Sequence, residues 1–411
     1  MTKTFWLSVL AGFKGLLSVT IAIYFFLIPF GILIYDLSDP ALKDGGMPRF
    51  TYRWHKNLSP KFEAWAIERV ENKAAESLNM YDISGTEWPV FSSVYFLWAT
   101  EELQKAWEED PGLSEESPVK YSAGAIEAAV TLISDPNHAS WVERHWGDDY
   151  LYQENIFYRM LLISGLLSYQ NLTQNNQHEP LLRSQIDTLS QELESSPYGL
   201  LDDYPGECYP IDILPAIAVI KRSENLFEYD HSGFVESSLR GFSGTRLDQQ
   251  IQLPAYIADS KTGVGYGPAR GVGMSYMLIW APEVWPSVAE SWYSRYETHF
   301  WSQNRWVAGV REYAEISNRS DWAFEIDAGP IVGGYGTAAS AFGIGAAKAN
   351  GRIDHAYPLS LEALVFTWPL LNGTLLTTRP LANLSDAPFI GETALLFTFT
   401  RQTHTDEIVL P

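Results

Sequence analysis

Residues 200–212, Leu200-Leu-Asp-Asp-Tyr-Pro-Gly-Glu-Cys-Tyr-Pro-Ile-Asp212, hold the densest set of reactive groups in the chain. Asp202, Asp203, Glu207 and Asp212 supply carboxylates, Tyr204 and Tyr209 phenols, and Cys208 the only thiol. Proton transfer needs such groups on a rigid frame, in surroundings that push their pKa values apart. The pattern predicts a loop between two helices, turned at Pro205-Gly206, with Asp212 just before a helix at Ile213. Each residue has a plainer reading. Asp212 could cap that helix by accepting the Leu214 N–H. Asp202 and Asp203 could only solvate the loop. Cys208 could be a small buried hydrophobe.

A second segment, Phe324-Glu-Ile-Asp-Ala-Gly-Pro-Ile-Val-Gly-Gly-Tyr-Gly336, is glycine-rich. It lacks the Gly-Lys-Ser/Thr and βαβ setting of a phosphate loop. It reads as a close-packed loop with Asp327 aimed into a cleft. Arg270, within Gly267-Pro-Ala-Arg-Gly-Val-Gly, and the pair Arg311-Glu312 read as structural ion-pair partners. Asp82 and Glu87 precede a helix at Phe91, where capping is the simple account.

The histidines are scattered, with none at His-Glu-x-x-His spacing, and one cysteine cannot build a thiolate cluster or an intramolecular disulfide. No metal or cofactor is expected. The net charge of −22 opposes nucleic acid, whose phosphates need a basic stripe. Fifteen tryptophans and 22 tyrosines suit either a sugar cleft or an apolar pocket, and most belong in a core.

The elements that would position these groups are mainly helical. Apolar residues recur near period 3.6 in Phe62–Leu78, Phe91–Trp107, Ser122–Ser134, Asn155–Leu172, Leu181–Ser195, Ile213–Leu226, Val272–Trp280, Val284–Trp301, Ala338–Asn350 and Leu359–Leu371. Strand patterns are few, the best being Trp306–Tyr313 and Leu395–Phe399. Serial helices without interleaved strands predict an all-α class. An α/α toroid (an α/α barrel) over residues 61–411 would place a cleft at one end. Residues 36–60, with Asp, Pro and Gly, read as a linker. Residues 1–35 read as an anchor: Leu16–Ile34 is uncharged and would span roughly 28 Å as a helix. Lys3 and Lys14 precede it, which puts the N-terminus in the cytoplasm and the large domain outside as a single-pass protein.

One ordered series of motifs resembles a known family. Trp146-Gly-Asp, Glu154-Asn-Ile-Phe-Tyr158, Gly165-Leu-Leu, Pro197-Tyr-Gly-Leu-Leu and then the carboxylate loop resemble the linalool dehydratase/isomerase domain. The likeness continues through Ser275-Tyr-Met-Leu-Ile-Trp280, Tyr293-x-x-Tyr-x-x-x-Phe300, Arg311-Glu312 and Ala339-Ser-Ala-Phe342. It implies an α/α barrel, cofactor-free acid–base chemistry and a ring-shaped homo-oligomer. Glu154, Tyr158, Glu312 and Asp82 would carry over as substrate-binding positions, with Cys208 and Arg270 beside them. The family's two loop cysteines fall on Asp203 and Asp212, and its histidine on Leu161. Carboxylates would therefore replace thiols.

The expected function is a lyase or isomerase whose catalytic groups are Asp203, Glu207, Asp212 and Asp327, acting on a small molecule such as a terpenoid alcohol. The alternative is a glycoside-active enzyme with paired carboxylates about 5 Å apart if retaining, or roughly 6.5–9.5 Å if inverting. An open groove lined by Trp88, Trp98 and Trp146 would favour it. A non-catalytic binding module is the third class, expected if the four acids point to unrelated surfaces.

Overall fold

A computed structural model describes residues 3–314, 320–370, 372, 374–376 and 386–403. The expected helix end Leu371, like His404, lies outside them. The fold is mostly helical. Its longer helices are α1 (Lys3–Ala22), α2 (Ile28–Leu37), α3 (Arg49–Glu71), α4 (Ile83–Glu109), α5 (Ala123–Ser134), α6 (Ile156–Thr173) and α7 (Glu179–Ser195). Then come α8 (Pro210–Arg222), α9 (Gly271–Val284), α10 (Pro286–His299), α11 (Thr337–Ala349), α12 (Ile353–Thr367) and α13 (Ile390–Thr400). Most of the periodic segments read above coincide with these to within a few residues.

Six of them share neighbours in a closed order. α4 packs on α6, α6 on α8, α8 on α9, α9 on α11, α11 on α13, and α13 returns to α4. Apart from the polar last turns of α4, these six are largely apolar, as helices buried on most sides must be. Their shared core is aromatic: Trp98 and Trp280 lie 4.6 Å apart between centroids, Tyr95 and Phe397 5.3 Å, Tyr276 and Phe342 5.2 Å. Against this set pack α3 on α5, α5 and α7 on α6, α10 on α9, and α12 on α11.

Two expectations are corrected. Residues 49–60 are not linker but the first half of α3, and they bury Phe50, Tyr52, Trp54 and Leu58. The break is confined to the turns and short helix of residues 38–48, where Pro, Gly and Asp gather. Leu395–Phe399 is not a strand but the middle of α13, which is buried on all sides and so carries no polar stripe to reveal its period.

Strand structure is limited, among the described residues, to small antiparallel sheets: β1 (Ile257–Asp259) with β2 (Val264–Tyr266), β3 (Trp301–Gln303) with β4 (Ala308–Val310), and β5 (Trp322–Glu325), β6 (Gly329–Val332) and β7 (Tyr335–Gly336) in order. The strand expected at Trp306–Tyr313 shrinks to β4. The glycine-rich segment is this last sheet, with Gly333 and Gly334 at positive φ in the β6–β7 turn. These hairpins lie on the connections between helices.

The N-terminal helix is continuous through a π turn at Ile23–Leu27. Val9–Leu37 is long and apolar enough to cross a membrane. Its last turns dock on the domain: Leu33 and Asp36 are buried, and Asp36 holds Arg53 at 2.6 Å. The anchor's end at residue 35 is thus a point inside a helix that runs on to Leu37.

Candidate functional site

The N-terminal ends of α4, α6 and α8 bring their first turns, and the connections before them, to one end of the helical set. The loop before α8 is a tight turn in which Glu207 N–H donates to the Tyr204 carbonyl (2.8 Å) and Gly206 N–H to Asp202 Oδ2 (2.8 Å). Gly206 takes φ 87°, which a residue with a Cβ adopts at a cost. Asp212 does not cap α8. Tyr209 occupies the capping position, Pro210 opens the helix with its pre-set φ, and Asp212 falls in the first turn. There it faces inward.

Asp203 is the most enclosed of the four expected catalytic acids, 1% exposed. Its Oδ2 accepts the Tyr209 N–H at 2.6 Å, while Oδ1 is buried with no hydrogen-bond partner among the described residues. Burial, then the nearby Asp212, push its pKa well above the usual carboxylate range. Asp212 is also raised well above that range, by burial and by Glu87 and Asp327. Ionisation of both carboxyls is thus opposed by burial, and the charge of Asp212 adds to the cost of ionising Asp203.

Glu87, in the second turn of α4, is the third member. Burial raises it to about 7, opposed by the Tyr204 hydroxyl, which donates to its Oε1. The Tyr204 ring lies tilted against His145, with centroids 4.7 Å apart. Asp327 sits at the β5–β6 turn, exposed, and accepts the Tyr256 hydroxyl at 2.8 Å. Glu207 is exposed and accepts the Tyr209 hydroxyl at 3.2 Å. The four expected acids therefore lie together, ringed by Tyr204, Tyr209 and Tyr256, and the charges of Asp327 and Glu207 are both felt at Glu87.

The six expected binding residues divide differently. Glu154 braces the site: its Oε2 accepts Asp202 N–H at 2.8 Å, and it and Asn155 take positive φ where the chain enters α6. Arg270 is held by Glu312 (2.6 Å) and Glu325, and its guanidinium lies 4.4 Å over the Tyr256 ring. It thus steadies the tyrosine that holds Asp327. Glu312 is fully buried, bonded to Arg270 and to the Val272 N–H at the start of α9, which is a structural role. Three expectations are corrected. Tyr158 is in the core, its hydroxyl donating to the Ile133 carbonyl. Asp82 caps α4 through Gly85 N–H and Ser84. Cys208 is buried and bridged to Ala258, and burial pushes its thiol upward, away from the reactive thiolate. Trp98, a proposed sugar platform, is 2% exposed and packed on Trp280, while the Trp146 N–H donates to the Asp203 carbonyl at 3.3 Å.

Glu87 is the residue that reading for caps missed as a site member. The signal was its register: positions 87, 91, 94 and 98 line one helix face, so an acid there points where Phe91, Val94 and Trp98 point.

Among the described residues, Glu297, Asp354 and His355 have metal-like spacing. Arg352 already supplies the cation, at 2.8 Å from each of the two carboxylates. A scan against models of known families gives no match, nor does a comparison with curated proteins.

Proposed function

We propose that the chain is a membrane-anchored, cofactor-free acid–base lyase or isomerase whose site is the carboxyl cluster at the mouth of an α/α toroid. The observation that carries this reading is Asp203: a fully enclosed carboxyl, one oxygen unpartnered among the described residues, next to a second carboxyl that also resists ionising. Such a pair offers an acid and a base at neutral pH without a metal.

In the reaction, protonated Asp203 gives its proton to a substrate hydroxyl. The C–O bond breaks and its electron pair leaves with water. Ionised Asp212 takes a proton from the adjacent carbon, and that C–H pair becomes the new double bond. Asp203 is now ionised and Asp212 protonated, so one proton passing between them restores the starting state. Readdition of water at another carbon would give isomerisation. Glu87, at about 7, sets the charge that a developing cation meets, and the tyrosine faces border the same space. The resemblance to the linalool dehydratase/isomerase domain, with Asp203 and Asp212 on its cysteine positions, and the closed order of six helices support the same reading. A homo-oligomer follows from the resemblance alone. Val9–Leu37 would span the bilayer once, with the N-terminus inside.

A glycosidase is favoured by no comparable observation, since Trp98 is core. The full-length protein in nanodiscs, tested on terpenoid alcohols and on oligosaccharides, separates the two. Conversion of alcohols that drops at least about 100-fold in Asp203→Asn supports the lyase reading. Conversion of oligosaccharides alone, or equal conversion by the variant, refutes it.

A further inference from the structure

The domain presents a second apolar surface beside the anchor. Trp368, just beyond α12, donates its indole N–H to the Phe25 carbonyl at 3.0 Å. A hydrocarbon core takes about 20 helical residues. Every such window within Val9–Leu37 contains residues 18–28. Phe25 is therefore at hydrocarbon depth wherever the span is placed, and Trp368 shares that depth. On the last turn of α12, Val365 and Phe366 are 52% and 65% exposed. A cleft of about 470 Å³ continues this surface between the anchor and the domain, with Ile28, Ile32, Trp54 and Leu370 among its walls. Arg53, paired with Asp36, borders it as a polar rim.

We propose that the domain sits in the bilayer as well as being tethered to it: the end of α12 and Trp368 form a membrane seat whose occupant is lipid hydrocarbon. The argument is continuity. The seat is bonded to the middle of the span, so the medium that surrounds Phe25 also meets Phe366. This rests on the reading of Val9–Leu37 as a membrane span. An apolar substrate dissolved in the membrane would then arrive beside the domain without crossing water.

The test is nitroxide labelling of the full chain in phospholipid nanodiscs. Single cysteines replace Ile21, Phe366 or Lys120 in a Cys208→Ala background. Collision with oxygen, which concentrates in hydrocarbon, is compared with collision with a water-soluble nickel chelate. The seat predicts that labels at 366 and 21 both favour oxygen severalfold over the label at 120. A label at 366 that matches 120 while 21 favours oxygen overturns the seat alone. A label at 21 that matches 120 overturns the span, and the seat with it. Phe366 is exposed, so its replacement leaves the core intact, and Val365→Cys repeats the measurement one residue away.

Discussion

The two ends of the helical set both bury acids, and they treat them oppositely. α4 carries Glu87 at one end and Glu101 and Glu102 about 21 Å further along its axis. At the far end the acids meet cations. Glu283 binds Arg222 and Arg401, Glu102 binds Arg401 at 2.8 Å, and the two guanidiniums lie 5.0 Å from the Trp280 ring. Ser168 and Asn171 donate to Glu101. At the near end, Glu87, Asp203 and Asp212 meet tyrosines, backbone N–H groups and one another, and among the described residues no cation is one of the groups that shift them. Enclosed charge that is neutralised on the spot holds a fold together. Enclosed acid left to hold protons is a cost that a fold carries for a use.

Breaking this contrast at the far end should have the largest effect on folding. Glu283→Ala strands the Arg222 guanidinium, leaves Arg401 with Glu102 alone, and is expected to lower stability by about 3–5 kcal/mol, read from the denaturant midpoint. At the near end the sign reverses. Asp203→Asn removes a strained acid and should leave the midpoint unchanged or higher, while turnover falls by about 100- to 10,000-fold. Loss of stability comparable to Glu283→Ala would erase the distinction.

A smaller effect concerns pH. Glu87 has a folded pKa of about 7, above its unfolded 4.5. Its protonated form therefore stabilises the fold fully below pH 4.5, and that contribution is lost as pH rises through 7. Glu87→Gln should flatten the stability–pH curve across that window relative to wild type. The smallest effect is Tyr204→Phe, which removes the hydroxyl that favours ionised Glu87. Stability should fall by about 1 kcal/mol, and the pH–rate limb set by Glu87 should move upward.

How much of this was legible beforehand depended on locality. The periodic apolar faces of α5, α6 and α7 gave their spans almost to the residue, because each pattern is written in a single helix. α13 was misread because a short helix buried all round looks like a buried strand. Arg49–Pro60 was misread because its charges and Pro60 resemble a linker, while its core face emerges only through contacts with distant helices. At the site, the loop 202–212 and Asp327 were visible as acid-rich turns. For Asp212 the sequence leaves capping open beside catalysis, because Ile213 rather than Pro210 reads as the helix start. Glu87 was passed over because its burial is set by Tyr204, 117 residues away.

The proton on Asp203 is the claim on which the rest depends, and infrared spectroscopy reads it directly. At pH 7 the wild-type minus Asp203→Asn difference spectrum should show a protonated-carboxyl carbonyl band, over and above the band from Glu87. A difference spectrum without that band would contradict the account.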